Sequence, residues 1–235
     1  METADAVRAG APGIFAHGLL VLLAAQRDLA ARELLLARRP ITLRAHLRRP
    51  VPVGARIVTT LDNTRRFTVV DADSGAHFIG GAVTAHETSP VITNGDVQSA
   101  QQLDPAALLR TVRDVERALG APTPTWLGLQ AACFERFLDS VDVTGTEQVT
   151  VLQTRHDVTL YRTIESWRPE NPRTITLRRA PDDVVRLGKI VQLTVYLAAF
   201  DAANPPMRLR LDIQLRETSL TQGRLNLHPA DTGCA

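Results

Sequence analysis

Lysine is almost absent from this chain of 235 residues: Lys189 is the only one, and arginine carries the other positive charges. The formal net charge is +2, so the composition gives no reason to expect a nucleic-acid partner. GC-rich coding explains an arginine bias as well as function does. Arginine also forms planar, bidentate contacts with phosphate, which fits CoA or phosphopantetheine as a partner.

Cysteine is scarce too. Cys133 and Cys234 have neither metal-ligand spacing nor the number needed for a disulfide framework, so we expect no metal and a reducing, cytoplasmic compartment. The first twenty residues do not resemble a signal peptide. The apolar run over residues 14–25 is too short to span a bilayer, so no membrane partner is expected. No dinucleotide, Walker, zincin or nucleophile-elbow motif occurs, and no cofactor is expected.

A long helix opens the ordered part of the chain. We predict that it begins near residues 15–18 and runs to about Leu36, where two arginines and Pro40 end it. Its first half is apolar on all sides, which is typical of a buried helix.

An antiparallel meander follows this helix. Residues 41–47 alternate apolar and polar side chains, as a half-buried strand does. Further strands are predicted over residues 55–62, 66–71 and 76–87, with a hairpin turn at residues 73–75. Gly80 and Gly81 indicate a bulge or a close approach in the last strand. Such a sheet can curl around the helix and bury it.

The second half repeats this order more loosely. Residues 89–102 are predicted to form a linker, after which Asp104 and Pro105 cap a helix over residues 106–119. Another apolar helix is predicted over residues 126–140. Strands are predicted over residues 148–153, 157–164, 174–178, 189–200 and 207–217, with a turn at residues 203–206 between the last two.

Two segments of the first half resemble the hotdog-fold superfamily. Residues 15–20, Phe-Ala-His-Gly-Leu-Leu, are similar to the stretch that opens the helix of MaoC-like enoyl-CoA hydratases and dehydratases. Residues 47–54, Leu-Arg-Arg-Pro-Val-Pro-Val-Gly, are similar to a strand end shared by MaoC-like and thioesterase hotdogs. The resemblance covers residues 13–87. It implies an antiparallel sheet wrapped around a long central helix.

The second half resembles thioesterase hotdogs in its layout and, weakly, over residues 129–138 of its helix. The resemblance therefore implies an α+β double hotdog, in which a continuous antiparallel sheet wraps two long central helices. Its expected parts are a first unit over 1–90, a linker and bridging helix over 91–122, a second unit over 123–220, and a loose tail over 221–235. A homodimer is left open.

The chain departs from the family in its chemistry. MaoC-like hydratases carry an Asp/His segment before the helix, and the twelve residues before Gly13 contain no such segment. Thioesterases with a His-Gly-Gly helix carry a carboxylate two to three turns in, where this chain has Ala25 and Gln26.

Two residues are candidates for catalysis. His17 precedes the first helix, whose free N–H groups attract a thioester oxygen or a phosphate; alternatively it is a turn residue that bonds backbone. Glu135 is predicted to lie in an apolar helix, where its pKa would rise and it could act as an acid or base; alternatively it belongs to a solvent-facing stripe.

Four further residues are candidates for binding substrate. Gly18 opens the helix beside His17. Gln26 and Gln130 lie at comparable depth in the two helices and could orient a water or a carbonyl, or could simply satisfy backbone. Trp126 could line an acyl tunnel or belong to the core. His156 and Asp157, as strand neighbours, should point to opposite faces and form no dyad.

Three functions remain open. The first is an enzyme of the dehydratase or hydratase kind that acts on an acyl thioester of CoA or an acyl carrier protein, as in polyketide or fatty-acid tailoring. The second is an acyl-thioester thioesterase. The third is a non-catalytic hotdog binding subunit. The missing Asp/His segment favours this third function, or an atypical reaction, over an ordinary hydratase. Any chemistry is expected between the first helix and its counterpart at residues 126–140.

Overall fold

The computed structural model describes residues 15–16, 18–31, 40–86, 99–140, 149–161, 175–179, 183–187, 190–201 and 204–217. Three helices lie in these ranges: α1 Gly18–Ala31, α2 Pro105–Leu119 and α3 Thr125–Ser140. The strands are β1 Phe15–Ala16, β2 Ile41–Leu47, β3 Val51–Pro52, β4 Ile57–Leu61, β5 Arg66–Asp71, β6 His77–Ala85, β7 Ser99–Leu103, β8 Val149–Leu160, β9 Ile175–Arg179, β10 Asp183–Leu187, β11 Ile190–Asp201 and β12 Asn204–Glu217. In the part of the chain that is described, no helix is both long enough and apolar enough to cross a membrane.

One antiparallel sheet carries most of the strands, in the order β4-β5-β6-β2-β8-β12-β11-β9-β7. Strands β9 and β10 pair with opposite ends of β11, and β1 pairs separately with β3. The two halves of the chain meet where β2 pairs with both β6 and β8. The meander of the first half and the strands of the second therefore form a single sheet.

Helix α1 is buried, as its apolar sequence predicts. Leu22, Ala25 and Leu29 have no exposed surface, and they belong to one core with the inward side chains of the sheet. Helix α3 contributes to the same core through residues such as Leu127 and Phe137. The predicted end of α1 near Leu36 lies outside the described residues, which stop at 31 and resume at 40.

Several local predictions are confirmed. β2 has the predicted bounds, and its alternate side chains Ile41, Leu43 and Ala45 are buried. The hairpin before β6 turns at Gly75, whose φ of 70° is one that L side chains rarely adopt. Gly81 is a close approach: a Cβ there would collide with the Arg44 carbonyl oxygen and the Phe67 ring.

Helix α2 is capped at its start as its sequence predicts, and it has a glycine cap at its end. The Asp104 carboxylate accepts hydrogen bonds of 3.1 Å from the backbone N–H groups of Ala106 and Ala107. Gly120 follows the helix with a φ of 67°. The Arg27 side chain of α1 donates a 2.9 Å hydrogen bond to the carbonyl oxygen of Leu119, so the first helix also holds the end of the second.

Other predictions are wrong. Residues 99–103 are not linker but strand β7, which pairs with β9. Residues 148–153 and 157–164 are not separate strands, because β8 runs unbroken from Val149 to Leu160. Residues 204–206, predicted as part of a turn, belong to strand β12, and Asn204 pairs with Asp201. Strand β10 was not predicted; all five of its residues are exposed, so they give no buried alternation.

Candidate functional site

Two glutamines meet between the central helices. Gln26 of α1 and Gln130 of α3 are both fully buried, and the Gln130 Nε2 group donates a 3.0 Å hydrogen bond to Gln26 Oε1. Each side chain lies in a helix whose other inward residues are apolar. The amides therefore contact one another rather than backbone, and they lie where the sequence predicted that any chemistry would be.

The imidazole of His156 extends this contact onto the sheet. The fully buried ring lies on β8, and its Nε2 atom is 2.8 Å from Gln130 Oε1. Its other nitrogen, Nδ1, is 2.8 Å from Gln153 Nε2. Gln26, Gln130, His156 and Gln153 thus form one hydrogen-bonded chain, here named the amide–imidazole chain, which joins both helices to the sheet.

An irregularity in β8 brings Gln153 and His156 to the same face. Residues three apart on a regular strand point to opposite faces. The pairing of β8 with β12 shifts at Thr154: Arg155 pairs with Asp212, but Gln153 pairs with Ile213. A β-bulge of this kind inserts one unpaired residue and reverses the alternation beyond it. Gln153 therefore shares the inner face with Ile213, which is fully buried in the core.

Burial keeps His156 neutral. Desolvation lowers the pKa of its imidazole from 6.5 to about 3. No charged side chain belongs to the amide–imidazole chain, so nothing in it stabilises an imidazolium. A neutral ring has one N–H donor and one acceptor nitrogen. Because Gln130 presents its carbonyl oxygen, Nε2 carries the proton and Nδ1 accepts from Gln153.

The opposite face of β8 is ionic. Arg155 donates to both carboxylate oxygens of Asp157, with Nη2 at 2.6 Å from Oδ2, and Arg44 Nε lies 3.4 Å from Oδ2. Asp212 of β12 accepts a 3.3 Å hydrogen bond from Arg210. His156 and Asp157 therefore face opposite sides of the sheet, which confirms that they form no dyad.

The other predicted residues are dispersed. His17 lies outside the described residues. Gly18 is the first residue of α1, and a Cβ there would lie 3.0 Å from Leu47 Cδ2, so the helix begins close against β2. Trp126 is buried in the core at the start of α3.

Glu135 occupies a different setting from the one predicted. It is exposed, so the expected apolar surroundings are wrong. Its Oε2 atom accepts a 3.4 Å hydrogen bond from Thr111 of α2. It lines a cavity of about 230 Å³ between α2 and α3, whose polar lining also includes Asp104, Arg110 and Asp114. This groove is separate from the amide–imidazole chain, since the two share no residue.

Two polar atoms at the ends of the amide–imidazole chain are buried without a hydrogen-bond partner among the described residues: Gln26 Nε2 and Gln153 Oε1. Buried polar groups are nearly always hydrogen-bonded, so a buried donor without a partner calls for an explanation, such as a water or a ligand. Gln26 Nε2 can donate to a carbonyl or a water. The described residues contain no group of three His, Cys, Asp or Glu side chains that could hold a metal ion.

Sequence reasoning missed His156 and Gln153 because it divided β8 in two. A signal was present in the sequence. Apolar residues occupy odd positions up to Val151 and even positions from Val158, and a change of phase within one strand indicates a bulge. Treating residues 149–160 as one strand with a bulge would have placed His156 on the same face as Val158 and Leu160.

No protein-family model matches the sequence, and no curated protein matches it either. Among solved structures, the acyl-CoA thioesterase II TesB2 from Mycobacterium marinum is 15% identical over 83% of this chain and 88% of its own, with a TM-score of 0.52. An isomerase-inactive variant of GphF DH1 is 17% identical over 89% and 85%, with a TM-score of 0.49. The dehydratase domain from the CurJ module of curacin polyketide synthase is 13% identical over 83% of each chain, with a TM-score of 0.46.

These structures are hotdog-fold thioesterases and polyketide synthase dehydratase domains. At such low identity the likeness shows the fold alone. The chain has the α+β hotdog fold, a large antiparallel sheet with a few helices, as the sequence predicts.

Proposed function

We propose that this chain is an acyl-thioester enzyme with a double-hotdog arrangement, and that the reaction it supports best is hydrolysis of the thioester. The substrate is an acyl chain on CoA or on an acyl carrier protein. The single observation that carries the proposal is the amide–imidazole chain, which lies between the two central helices. It ends in an N–H donor of Gln26 that has no partner among the described residues.

The double-hotdog part rests on the sheet. β2 follows α1 and β8 follows α3, and the two strands pair over six residues, from Ile41 with Leu160 to His46 with Arg155. This pairing supports two units, over residues 1–90 and 123–220, joined side by side through one continuous sheet. Residues 91–122 then connect the two units and supply strand β7 and helix α2.

The uncharged N–H donor of Gln26 is suited to polarising a thioester carbonyl for attack by water. The thioester carbonyl oxygen accepts a hydrogen bond from Gln26 Nε2, which stabilises the negative charge that develops on it. Water adds to the carbonyl carbon, the carbon–sulfur bond breaks, and the proton released by the water goes to the departing thiolate. The products are a carboxylic acid and a free thiol.

Dehydration or hydration is the second candidate. It is favoured by the start of α1 at Gly18, inside the segment that resembles the MaoC-like helix. Such a reaction also needs a paired acid and base, and both nitrogens of His156 are already occupied by glutamine amides. Among the described residues no carboxylate belongs to the amide–imidazole chain, so hydrolysis is the better supported reaction.

The test is turnover of a panel of acyl-CoA and acyl-pantetheine thioesters. Release of free thiol supports hydrolysis, whereas interconversion of enoyl and 3-hydroxyacyl thioesters supports the second candidate. Gln130→Leu should lower hydrolysis by about 100-fold, because it removes the amide that orients Gln26. Gln102→Leu, at an exposed glutamine of β7, is the matched control and should retain full activity.

Glu135→Gln decides where the reaction takes place. Unchanged turnover is expected, because this carboxylate lies in the exposed groove between α2 and α3. Loss of turnover would move the reaction to that groove and restore Glu135 as the acid or base. No turnover of any thioester, with an acyl-thioester protein bound on co-purification, would favour a non-catalytic binding subunit.

A further inference from the structure

The amide–imidazole chain has a direction, and His156 sets it. A neutral imidazole offers one N–H and one bare nitrogen, so the two amides that contact it must present opposite ends. Here the Gln130 carbonyl oxygen accepts from Nε2, and Gln153 Nε2 donates to Nδ1. If the ring carried its proton on Nδ1 instead, both contacting amides would have to turn over.

The direction passes through Gln130 to Gln26. Because the Gln130 oxygen is bound to His156, its Nε2 group donates to Gln26 Oε1 at 3.0 Å. This leaves Gln26 with its Nε2 group unpartnered among the described residues, on a side chain that is fully buried. Turning the chain over would leave the Gln26 oxygen at that end, and the site would then bind donors instead of acceptors.

We propose that His156 is a positioning residue whose Nε2–H tautomer orients Gln130 and Gln26, so that the end of the chain at Gln26 binds an uncharged hydrogen-bond acceptor. The ligand class is the carbonyl group of an acyl thioester. This assignment of the ligand rests on the proposed function, whereas the tautomer and the direction of the chain do not.

The absence of charge from the chain sharpens this specificity. None of its four side chains carries a formal charge at neutral pH, and burying an anion without a counter-charge is strongly unfavourable. The site should therefore prefer the neutral thioester to the carboxylate that hydrolysis releases. A free fatty acid should inhibit weakly. An analogue whose carbonyl group is uncharged, such as an acyl-CoA with a methylene in place of sulfur, should compete well.

The tautomer can be read directly by NMR of protein labelled with ¹⁵N in histidine. The signals of His156 are identified by their loss in His156→Gln. At pH 7 we expect the Nε2–H form, with an unprotonated Nδ1. The Nδ1–H form would reverse the chain and overturn the proposal, whether or not the protein turns over any thioester.

Kinetics test whether His156 acts through Gln26. His156→Met fills the same space with an apolar side chain and removes the N–H donor, and it should lower kcat/KM by about 100-fold. His156→Gln restores a donor and should recover most of that loss, which a purely structural role would not predict. Gln26→Met should lose as much as His156→Met.

The double variant Gln26→Met/His156→Met separates positioning from an independent role. If His156 acts only through Gln26, the double variant loses no more than Gln26→Met alone. Losses that multiply to about 10,000-fold would overturn the proposal. If the wild-type protein hydrolyses no thioester and binds no carbonyl analogue, the ligand assignment fails together with the proposed function, and the NMR result alone decides the direction of the chain.

Discussion

Mild acid should destabilise this protein through His156. The pKa of the ring is about 3 in the folded protein, because burial removes water from it, and near 6.5 in the unfolded chain. Between these values the unfolded state binds a proton that the folded state does not. The stability that the neutral ring preserves is therefore fully present above about pH 6.5 and is lost as the pH falls towards 3.

The size of the effect follows from the two pKa values. Each pH unit in this window costs about 1.4 kcal/mol, so the free energy of unfolding should fall by about 3 kcal/mol between pH 7 and pH 4 from this residue alone. Domains of this kind are stable by about 5–15 kcal/mol, so the loss is large enough to measure. No carboxylate belongs to the amide–imidazole chain, so no opposing shift within it offsets the loss.

The assay is guanidinium unfolding at half-unit pH steps, compared among three proteins. His156→Gln should lose the steep part of the dependence, even if it is less stable at pH 7. His77→Gln removes an exposed histidine of β6 and should follow the wild type. Parallel curves for the wild type and His156→Gln would refute the reasoning, because they would mean that His156 titrates alike in both states.

Three smaller perturbations test packing, capping and burial. In a urea titration, Gly81→Ala should lower the free energy of unfolding by about 1–3 kcal/mol, because the new Cβ meets a backbone oxygen and a buried ring. Gly80→Ala is the control and should cost less, because its Cβ meets only the flexible end of an arginine. Asp104→Ala should cost about 1 kcal/mol of stability and lower the melting temperature, because it removes the cap of α2. In a Cys234→Ser background, Cys133 should resist a thiol reagent at pH 8 until denaturant is added, since burial raises its pKa to about 12; rapid labelling of the native protein would contradict this.

The sequence predicts those elements that bury a regular face. β2 alternates cleanly, α1 is apolar all round, and α2 carries its own cap, so local signals suffice for each of them. β7 and β10 escape prediction because they lie beside a partner strand without burying a regular apolar face. β10 is exposed throughout, and β7 is mostly polar with Leu103 buried at its end, so neither shows a regular apolar face in the sequence. Only pairing with β11 and β9 makes them strands.

The candidate site was half predicted. Gln26 and Gln130 stand out because a polar side chain in an apolar helix needs a partner, and their comparable depth in two similar units suggests that they are close. Their actual partner could not be read from the helices, since it lies on the sheet. Its position depends on which strand follows β2 in the sheet, and β8 is more than one hundred residues further along the chain.

Strand β8 shows why strict alternation could not have completed the site. Alternation places Gln153 on the face of Arg155 and Asp157, where it would join the ion pairs on the outer side of the sheet. The one unpaired residue at Thr154, whose hydroxyl donates a 3.1 Å hydrogen bond to the carbonyl oxygen of Asp212, turns Gln153 inward instead. The helices cover the inner face, where Gln153 and His156 are uncharged, whereas Arg155 and Asp157 form an ion pair on the outer face. A single bulge therefore decides that the amide–imidazole chain has its fourth member.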